Sequence, residues 1–372
     1  MASHVSTKSE EGEEVVVGQS VWADLPSELL ERIVHTLDPL DRVAVRLVCA
    51  SWRATCVREF SFPFEIPRLL IRRPDRGGEL AFFSVKDGRI LPFALPTWLR
   101  ASRCCGHIAG WLVMAFDSER RIKVCNPVLC RYADIPYPPM FPVSKMVLSG
   151  PPTCHGWVAA ALGRTGMMIA LLQLDRQGTR WMAMGFEEAK QHGGFRDMAL
   201  WRGDLCALCH DGAVFVFHSN LGLRTVSVSQ LRDPEHALGM SRGSRWQLYL
   251  VDLEGALMLV RKRYESMDDK HVEWEVEVKV LASLEKRSWE HVTEIPSHAL
   301  FVGSVVSEAV PAAAYAASGV REGCIYFARR EVEAVVPSAI CEYSIEEGDM
   351  RYLPVAGRHN TDVEPVWITP FI

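Results

Sequence analysis

The chain has 372 residues, 48% of them hydrophobic and 23% charged, with a formal net charge of −5. This composition is that of a globular protein long enough for two domains, without the bias of a collagen-like or wholly disordered chain. An acidic balance with no long basic stretch argues against nucleic acid as a partner.

Residues 1–20 include Glu10-Glu11-Gly12-Glu13-Glu14, a polar acidic run expected to be disordered. Helical periodicity begins after it. Asp24 or Ser27 can cap, and Pro26 suits a first-turn position. Leu29, Ile33 and Leu37 fall at i, i+4 and i+8, with Leu30 and Val34 beside them, so one wide apolar stripe results. Asp38-Pro39 ends this helix and can start another, marked by Leu40, Val43, Ala44 and Leu47. A third short helix is predicted to hold Trp52 and Val57. Phe62-Pro63-Phe64-Glu65-Ile66-Pro67 reads as an extended linker, because its prolines deny it helix.

Beyond about residue 68 short apolar or alternating runs are separated by Gly, Pro and Asp turns. Trp111–Phe116, Trp157–Leu162, Ala213–Phe217, Trp246–Asp252, Ala256–Val260, Glu273–Val278 and Cys324–Ala328 are predicted strands. The longest apolar stretch, Trp157 to Leu174, is interrupted by Gly163-Arg164-Thr165-Gly166, a hairpin turn rather than bilayer interior. No membrane partner is therefore expected. Trp111, Trp157, Trp201, Trp246 and Trp289 recur about every 45 residues, although their local contexts differ. Repeats of about 40–45 residues with four strands each are the signature of propeller blades. The remaining length predicts six or seven blades, with a large sandwich or barrel as the alternative. A closed ring also protects sheet edges that would otherwise invite aggregation.

Sites of chemistry are scarce. Cys206-Ala-Leu-Cys209-His210 matches a haem-attachment string. On a strand, however, i and i+3 point to opposite faces, whereas two thioethers need one porphyrin edge. A zinc site would need two further donors; Cys104-Cys105 and Cys154-His155 are candidates, but no second C-x-x-C exists. The eleven cysteines are read as free thiols of a reducing compartment, since there is no apolar signal segment and no Asn-x-Ser/Thr acceptor. Arg261-Lys262-Arg263 is read as a solvated loop edge. No nucleophile elbow, Walker loop, H-E-x-x-H or dinucleotide fingerprint is present. No catalytic residue, cofactor or metal is assigned.

The run Trp22-Ala-Asp-Leu25-Pro26-Ser-Glu28-Leu29-Leu30, the Leu37-Asp38-Pro39 break and Val48-Cys49-x-x-Trp52 resemble an F-box in order and spacing. The physical basis of such a module is helix-on-helix recognition: a small helical unit that cannot bury all its leucines presents the rest to a partner groove. The resemblance implies a Skp-type adaptor as partner and, through it, a cullin. Leu25, Pro26, Leu29, Leu40, Val45, Val48 and Trp52 match F-box positions that form the adaptor interface or pack directly behind it. Asp41-Arg42 stands where many F-boxes place one more leucine, a departure expected to weaken the adaptor interface without abolishing it.

From residue 22 to 372 the chain resembles plant F-box proteins whose C-terminal region is the family called domain of unknown function 295, a KIB-type β-propeller. Gly110-Trp-Leu-Val-Met with Asn126-Pro127 carries the early likeness. Trp289-Glu-His-Val292, His298-Ala-Leu-Phe-Val-Gly303 and Gly323-Cys-Ile-Tyr-Phe327 carry the most specific part. The expected fold is α+β and multidomain: a disordered stretch at 1–20, an F-box at 21–60, a linker at 61–68 and a propeller at 69–372. The resemblance implies a non-catalytic substrate-receptor subunit of an SCF-type ubiquitin ligase, holding an unidentified protein target in cytoplasm, nucleus or both. Two alternatives stay open: a non-degradative F-box scaffold, and a propeller ligand-binding protein with a vestigial F-box.

Overall fold

A computed structural model of the chain describes residues 22, 25–37, 45, 48–49, 51–52, 68–73, 76–84, 88–90, 95–127, 131–152, 156–175, 178–185, 187–218, 227–231, 246–268, 271–283, 285, 288–316, 319–328, 340–353 and 365–368. The chain divides into two compact units, residues 1–62 and 63–372. In the first, helix α1 spans Ser27–Thr36. Pro26 itself occupies the N-cap, at φ −54° and ψ 141°, and no side chain caps the helix. The expectation that Asp24 or Ser27 would cap is corrected for Ser27, which lies inside the helix; Asp24 lies outside the described residues. A proline ring fixed near φ −65° is already in the geometry of helix entry, so a capping hydroxyl is dispensable. Leu37 closes the helix in extended conformation.

The second unit is a six-bladed propeller among the described residues. Blade 1 holds β1 (Arg68–Arg73), β2 (Glu79–Ser84) and β3 (Arg89–Ile90). Blade 2 holds β4 (Arg103–Ile108), β5 (Trp111–Phe116), β6 (Arg121–Asn126) and β7 (Arg131–Ile135). Blade 3 holds β8 (Val143–Leu148), β9 (Ala159–Gly163), β10 (Met168–Asp175) and β11 (Gly178–Gly185). Helix α2 (Glu187–Gln191) leads to blade 4: β12 (Phe195–Trp201), β13 (Asp204–Cys209), β14 (Val214–His218) and β15 (Ser227–Leu231). Blade 5 holds β16 (Gln247–Leu253), β17 (Ala256–Asp268), β18 (His271–Ser283) and β19 (Ser288–His291).

Blade 6 departs from four strands. Its order is β21-β20-β22-β23-β24, with β20 His298–Val302, β21 Glu308–Pro311, β22 Cys324–Ala328, β23 Ile340–Ser344 and β24 Asp349–Leu353. A short helix, α3 (Ala312–Tyr315), follows β21, and β20 pairs parallel with β22. The segment that loops out between β20 and β22 thus adds a strand on the inner side of the blade. The ring closes when β25 (Val366–Ile368) pairs antiparallel with β1, so the last strand completes the first sheet.

The strands form where the sequence is apolar without a strict alternation, because sheets stacked around a ring are buried on both faces. All six residues of β5 and all five of β22 are buried. Among the described residues, apolar cores lie between consecutive blades; that between blades 6 and 1 joins Ile71 and Phe83 to Phe301, Tyr326 and Trp367. The Trp367 indole N–H also donates to Val302 O at 3.1 Å, tying the closing strand to blade 6.

The near-regular tryptophans are not equivalent. Trp111 begins β5, Trp157 precedes β9, Trp201 ends β12, Trp246 precedes β16 and Trp289 lies in β19. The equivalent feature is instead the turn between first and second strands. Ala109-Gly110, Arg202-Gly203 and Glu254-Gly255 each place two residues at positive φ in blades 2, 4 and 5. That two-residue geometry matches strand twist and favours glycine second.

Inner strands approach closely. A Cβ placed on Gly106 of β4 would lie 2.3 Å from Met146 O of β8. Gly106→Ala is therefore expected to force blades 2 and 3 apart and cost about 1–3 kcal/mol. A urea melt checks this; an unchanged midpoint would contradict the close approach.

Candidate functional site

Among the described residues of the first unit one small apolar core forms. Leu30 and Val34, one helical turn apart on α1, are buried with Val45; Leu25, Leu37 and Trp52 pack around them. Trp52 donates its indole N–H to Trp22 O at 2.7 Å, which pins the chain just before the helix. Three large apolar side chains stay in solvent: Trp22 is 65% exposed, Leu29 46% and Val48 57%. Pro26 is also exposed.

The apolar stripe read from the sequence is therefore split by the fold. Val45 is core, Leu25 and Trp52 are packed behind the surface, and Pro26, Leu29 and Val48 are presented outward. Leu40 and Asp41-Arg42 lie outside the described residues. Trp22 was not singled out by periodicity, since it precedes the helix; its exposed indole is the residue that sequence reading of the stripe missed. Among the described residues three are buried around the 10-residue helix, and Trp22, Leu29 and Val48 are left uncovered. The uncovered side chains form a surface suited to another protein's apolar groove.

In the propeller, the cysteine string resolves as a strand. Cys206 joins the core between blades 4 and 5, whereas Cys209 joins that between blades 3 and 4, on the opposite face of β13. All eight described cysteines are free and seven are buried. Burial pushes the thiols of Cys104, Cys105, Cys125 and Cys209 up to about 12 and that of Cys324 up to about 11; Cys206 is raised by the same cause. Because only the thiolate reacts, these six are expected to resist iodoacetamide at pH 8 in the native protein and to alkylate fully in guanidinium. Mass mapping reads both states; rapid native labelling of any of the six would contradict the burial. Cys154-His155 lies outside the described residues, and among those described no group of three His, Cys, Asp or Glu is placed to hold a metal ion.

The basic run Arg261-Lys262-Arg263 is not a solvated loop edge. It sits within β17, with Arg261 and Lys262 buried. Lys262 places its ammonium 4.4 Å from the Phe327 ring, and Arg261 pairs with Glu277 of β18 at 2.6 Å. Arg263 pairs with Glu275, again across the two strands. Long aliphatic stems let such residues line a core while their heads find a carboxylate or ring face. The signal was the pair Glu275-x-Glu277 on the facing strand, which stands opposite Arg263 and Arg261.

A second buried charge pair, unmarked by any motif, joins three inner strands. Lys145 Nζ of β8 lies 2.5 Å from Asp197 Oδ1 of β12, and Asp197 Oδ2 accepts from the backbone N–H of Leu250 in β16 at 2.9 Å. Both residues sit at register shifts in their strands, which free the side chains to turn inward.

A helical module with an exposed apolar face, joined in sequence to a propeller, is the architecture of F-box proteins of the substrate-receptor type. Comparison with known families agrees. The KIB1-4 beta-propeller family matches residues 82–353, and the F-box domain matches residues 22–61. The chain belongs to the KIB1-4 beta-propeller family and carries an F-box. It is similar to the F-box/kelch-repeat protein At1g57790 of Arabidopsis thaliana, with 23% identity over 363 residues and 95% of each chain covered. Among solved structures, a functionally unknown protein from Desulfotomaculum acetoxidans aligns over 82% of this chain and 100% of its own at TM-score 0.45 and 10% identity. BBS1N, crystallised with ARL6DN, aligns over 77% of this chain and 74% of its own at TM-score 0.37 and 13% identity. No helix among the described residues is long and apolar enough to cross a membrane.

Proposed function

We propose that this chain is the substrate-receptor subunit of an SCF-type E3 ubiquitin ligase. The F-box docks on the Skp-type adaptor, the adaptor brings a cullin, and the propeller holds a protein target for ubiquitination. The observation that carries this reading is the separation of apolar side chains in the first unit. Leu30, Val34 and Val45 are consumed in its core while Trp22, Leu29 and Val48 remain exposed. A face of that kind on so small a unit is accounted for by a partner.

The mechanism is proximity. Holding a target's lysines near a ubiquitin-charged enzyme raises their effective concentration, and no bond-making residue is required of this chain. The F-box supplies one attachment and the propeller the other. The test is co-elution. Purified full chain mixed with a purified Skp-type adaptor is expected to migrate as one complex on size exclusion. Separate elution at micromolar concentrations would overturn the reading.

A further inference from the structure

Four arginines of the propeller are tethered by backbone carbonyls. Arg72, near the end of β1, donates to Gly78 O and Arg100 O at 2.7 Å each, and to Ser102 O. Arg103, at the start of β4, donates to Ser144 O at 3.0 Å and Val143 O at 2.5 Å. Arg120, in the β5–β6 turn, donates to Pro138 O at 3.1 Å and Pro139 O at 2.8 Å, and lies 5.0 Å from the Tyr137 ring. Arg196, near the start of β12, donates to Trp246 O at 2.8 Å. A fifth, Arg164 in the β9–β10 turn, lies 2.7 Å from Asp117 Oδ2. The same oxygen is 3.5 Å from Arg103 Nε, and Asp117 Oδ1 accepts from the Tyr137 hydroxyl at 2.9 Å.

The ring places all five on one side. In a blade of antiparallel strands, the first strand begins on the side where the second turns into the third. Arg103 and Arg196 lie near the starts of first strands, and Arg120 and Arg164 lie in second-to-third turns. Arg72 reaches Ser102 O, next to Arg103. Five guanidinium groups spread over blades 1 to 4 thus share one carboxylate, Asp117, among the described residues. Neighbouring acids are already matched, Glu79 to Arg100 at 3.7 Å and Glu119 to Arg121 at 2.9 Å. A carbonyl satisfies a guanidinium donor without cancelling its charge. The face is therefore positive on a chain whose formal net charge is −5. Arg120 and Arg164 are exposed and are each held through Nη2 alone, which leaves Nε and Nη1 without a described partner. Tethered guanidinium groups lose little freedom on binding, and their planar donors match carboxylates.

We propose that this arginine-bearing face of blades 1 to 4 is the target-contact surface, and that it takes an acidic polypeptide segment. Carboxylates of the segment pair with Arg120 and Arg164, and the remaining guanidinium groups supply the surrounding positive field. A short acidic stretch meets this local charge within a Debye length of about 10 Å. A long nucleic-acid backbone meets the acidic balance of the whole chain instead. This inference rests on the receptor reading above, but its test does not pass through the F-box.

The test is selection of linear dodecapeptides from a random display library on the immobilised full chain. Sequences with several Asp or Glu residues are expected to be enriched. The affinity of a selected peptide should fall steeply as salt rises above about 0.1 M. Arg120→Gln combined with Arg164→Gln should weaken it about tenfold or more, the loss expected of charge-assisted hydrogen bonds. Thermal melts establish that the variant is folded, and Arg196→Gln on blade 4 serves as a second variant, expected to weaken binding less. Failure to enrich any motif would overturn the proposal, as would a neutral or basic motif, or an affinity unmoved in both folded variants. Tighter retention of a labelled single-stranded oligonucleotide of the same length would overturn it too. Adaptor co-elution measured on the same preparation separates that failure from failure of the receptor reading.

Discussion

Leu29→Glu combined with Val48→Glu is expected to abolish binding of the Skp-type adaptor while the melting of both units stays unchanged. Both side chains project into solvent, at 46% and 57% exposure, so a carboxylate there meets water in the free protein. In a complex it would be forced into an apolar groove, and burying an unpaired charge is among the most costly changes a contact can suffer. Leu25→Ala with Pro26→Ala, the pair that the sequence motif itself suggests, should also abolish binding. Its interpretation is less direct. Leu25 packs against the Leu30–Val34–Val45 core, and Pro26 forms the helix N-cap, its carbonyl accepting from Leu29 and Leu30 N–H at 3.1 Å each. That double substitution is expected to loosen α1 as well as strip the surface. Fluorescence anisotropy of labelled adaptor against each variant, with circular dichroism melts alongside, separates the two effects. Wild-type affinity in the Leu29/Val48 variant would contradict the assignment of that face.

The largest stability effect is expected at Asp197. This carboxylate accepts from Lys145, from its neighbour Met198 N–H at 2.8 Å and from Leu250 N–H, so it links the inner strands of blades 3, 4 and 5. Asp197→Ala removes all three bonds at once and leaves an ammonium whose side chain is 6% exposed without its carboxylate. Breaking a buried pair from one side costs about 3–5 kcal/mol. Lys145→Met removes only the cation and leaves Asp197 with two backbone donors, so the expected cost is smaller, roughly 1.5–3 kcal/mol. Urea unfolding of the full chain followed by tryptophan fluorescence measures both. An Asp197→Ala variant less destabilised than Lys145→Met would contradict the network as described.

The fold was legible to the extent that each blade depends on local pattern. Strands such as Trp111–Phe116 and Cys324–Ala328 are continuous apolar runs because both faces of a blade are covered, and that pattern survives in a single sequence. The count of six blades was not legible, since the tryptophans that suggested a period occupy different strands and ends of strands. The inserted β21 of blade 6 was also hidden: Glu308–Pro311 is four residues long, and the parallel pairing of β20 with β22 around it lies beyond local pattern. For the F-box, helical spacing finds Leu29, Leu30, Ile33 and Val34 together. It cannot divide them into buried and exposed, because that division depends on Val45 and Trp52, which arrive from later in the chain. The Lys145–Asp197 pair left no mark either, for its partners are 52 residues apart. Arg261-Lys262-Arg263 does not show as a strand by its own charges, because the glutamates that face it lie across the hairpin.

In the proposed function the F-box joins this chain to a ligase. The most direct measurement is recovery of the Skp-type adaptor and cullin together on the full wild-type chain, beside the Leu29/Val48 variant. Both proteins are expected on the wild type and neither on the variant, with the propeller folded in each. Absence of both from the wild type, or equal recovery on the variant, would contradict it.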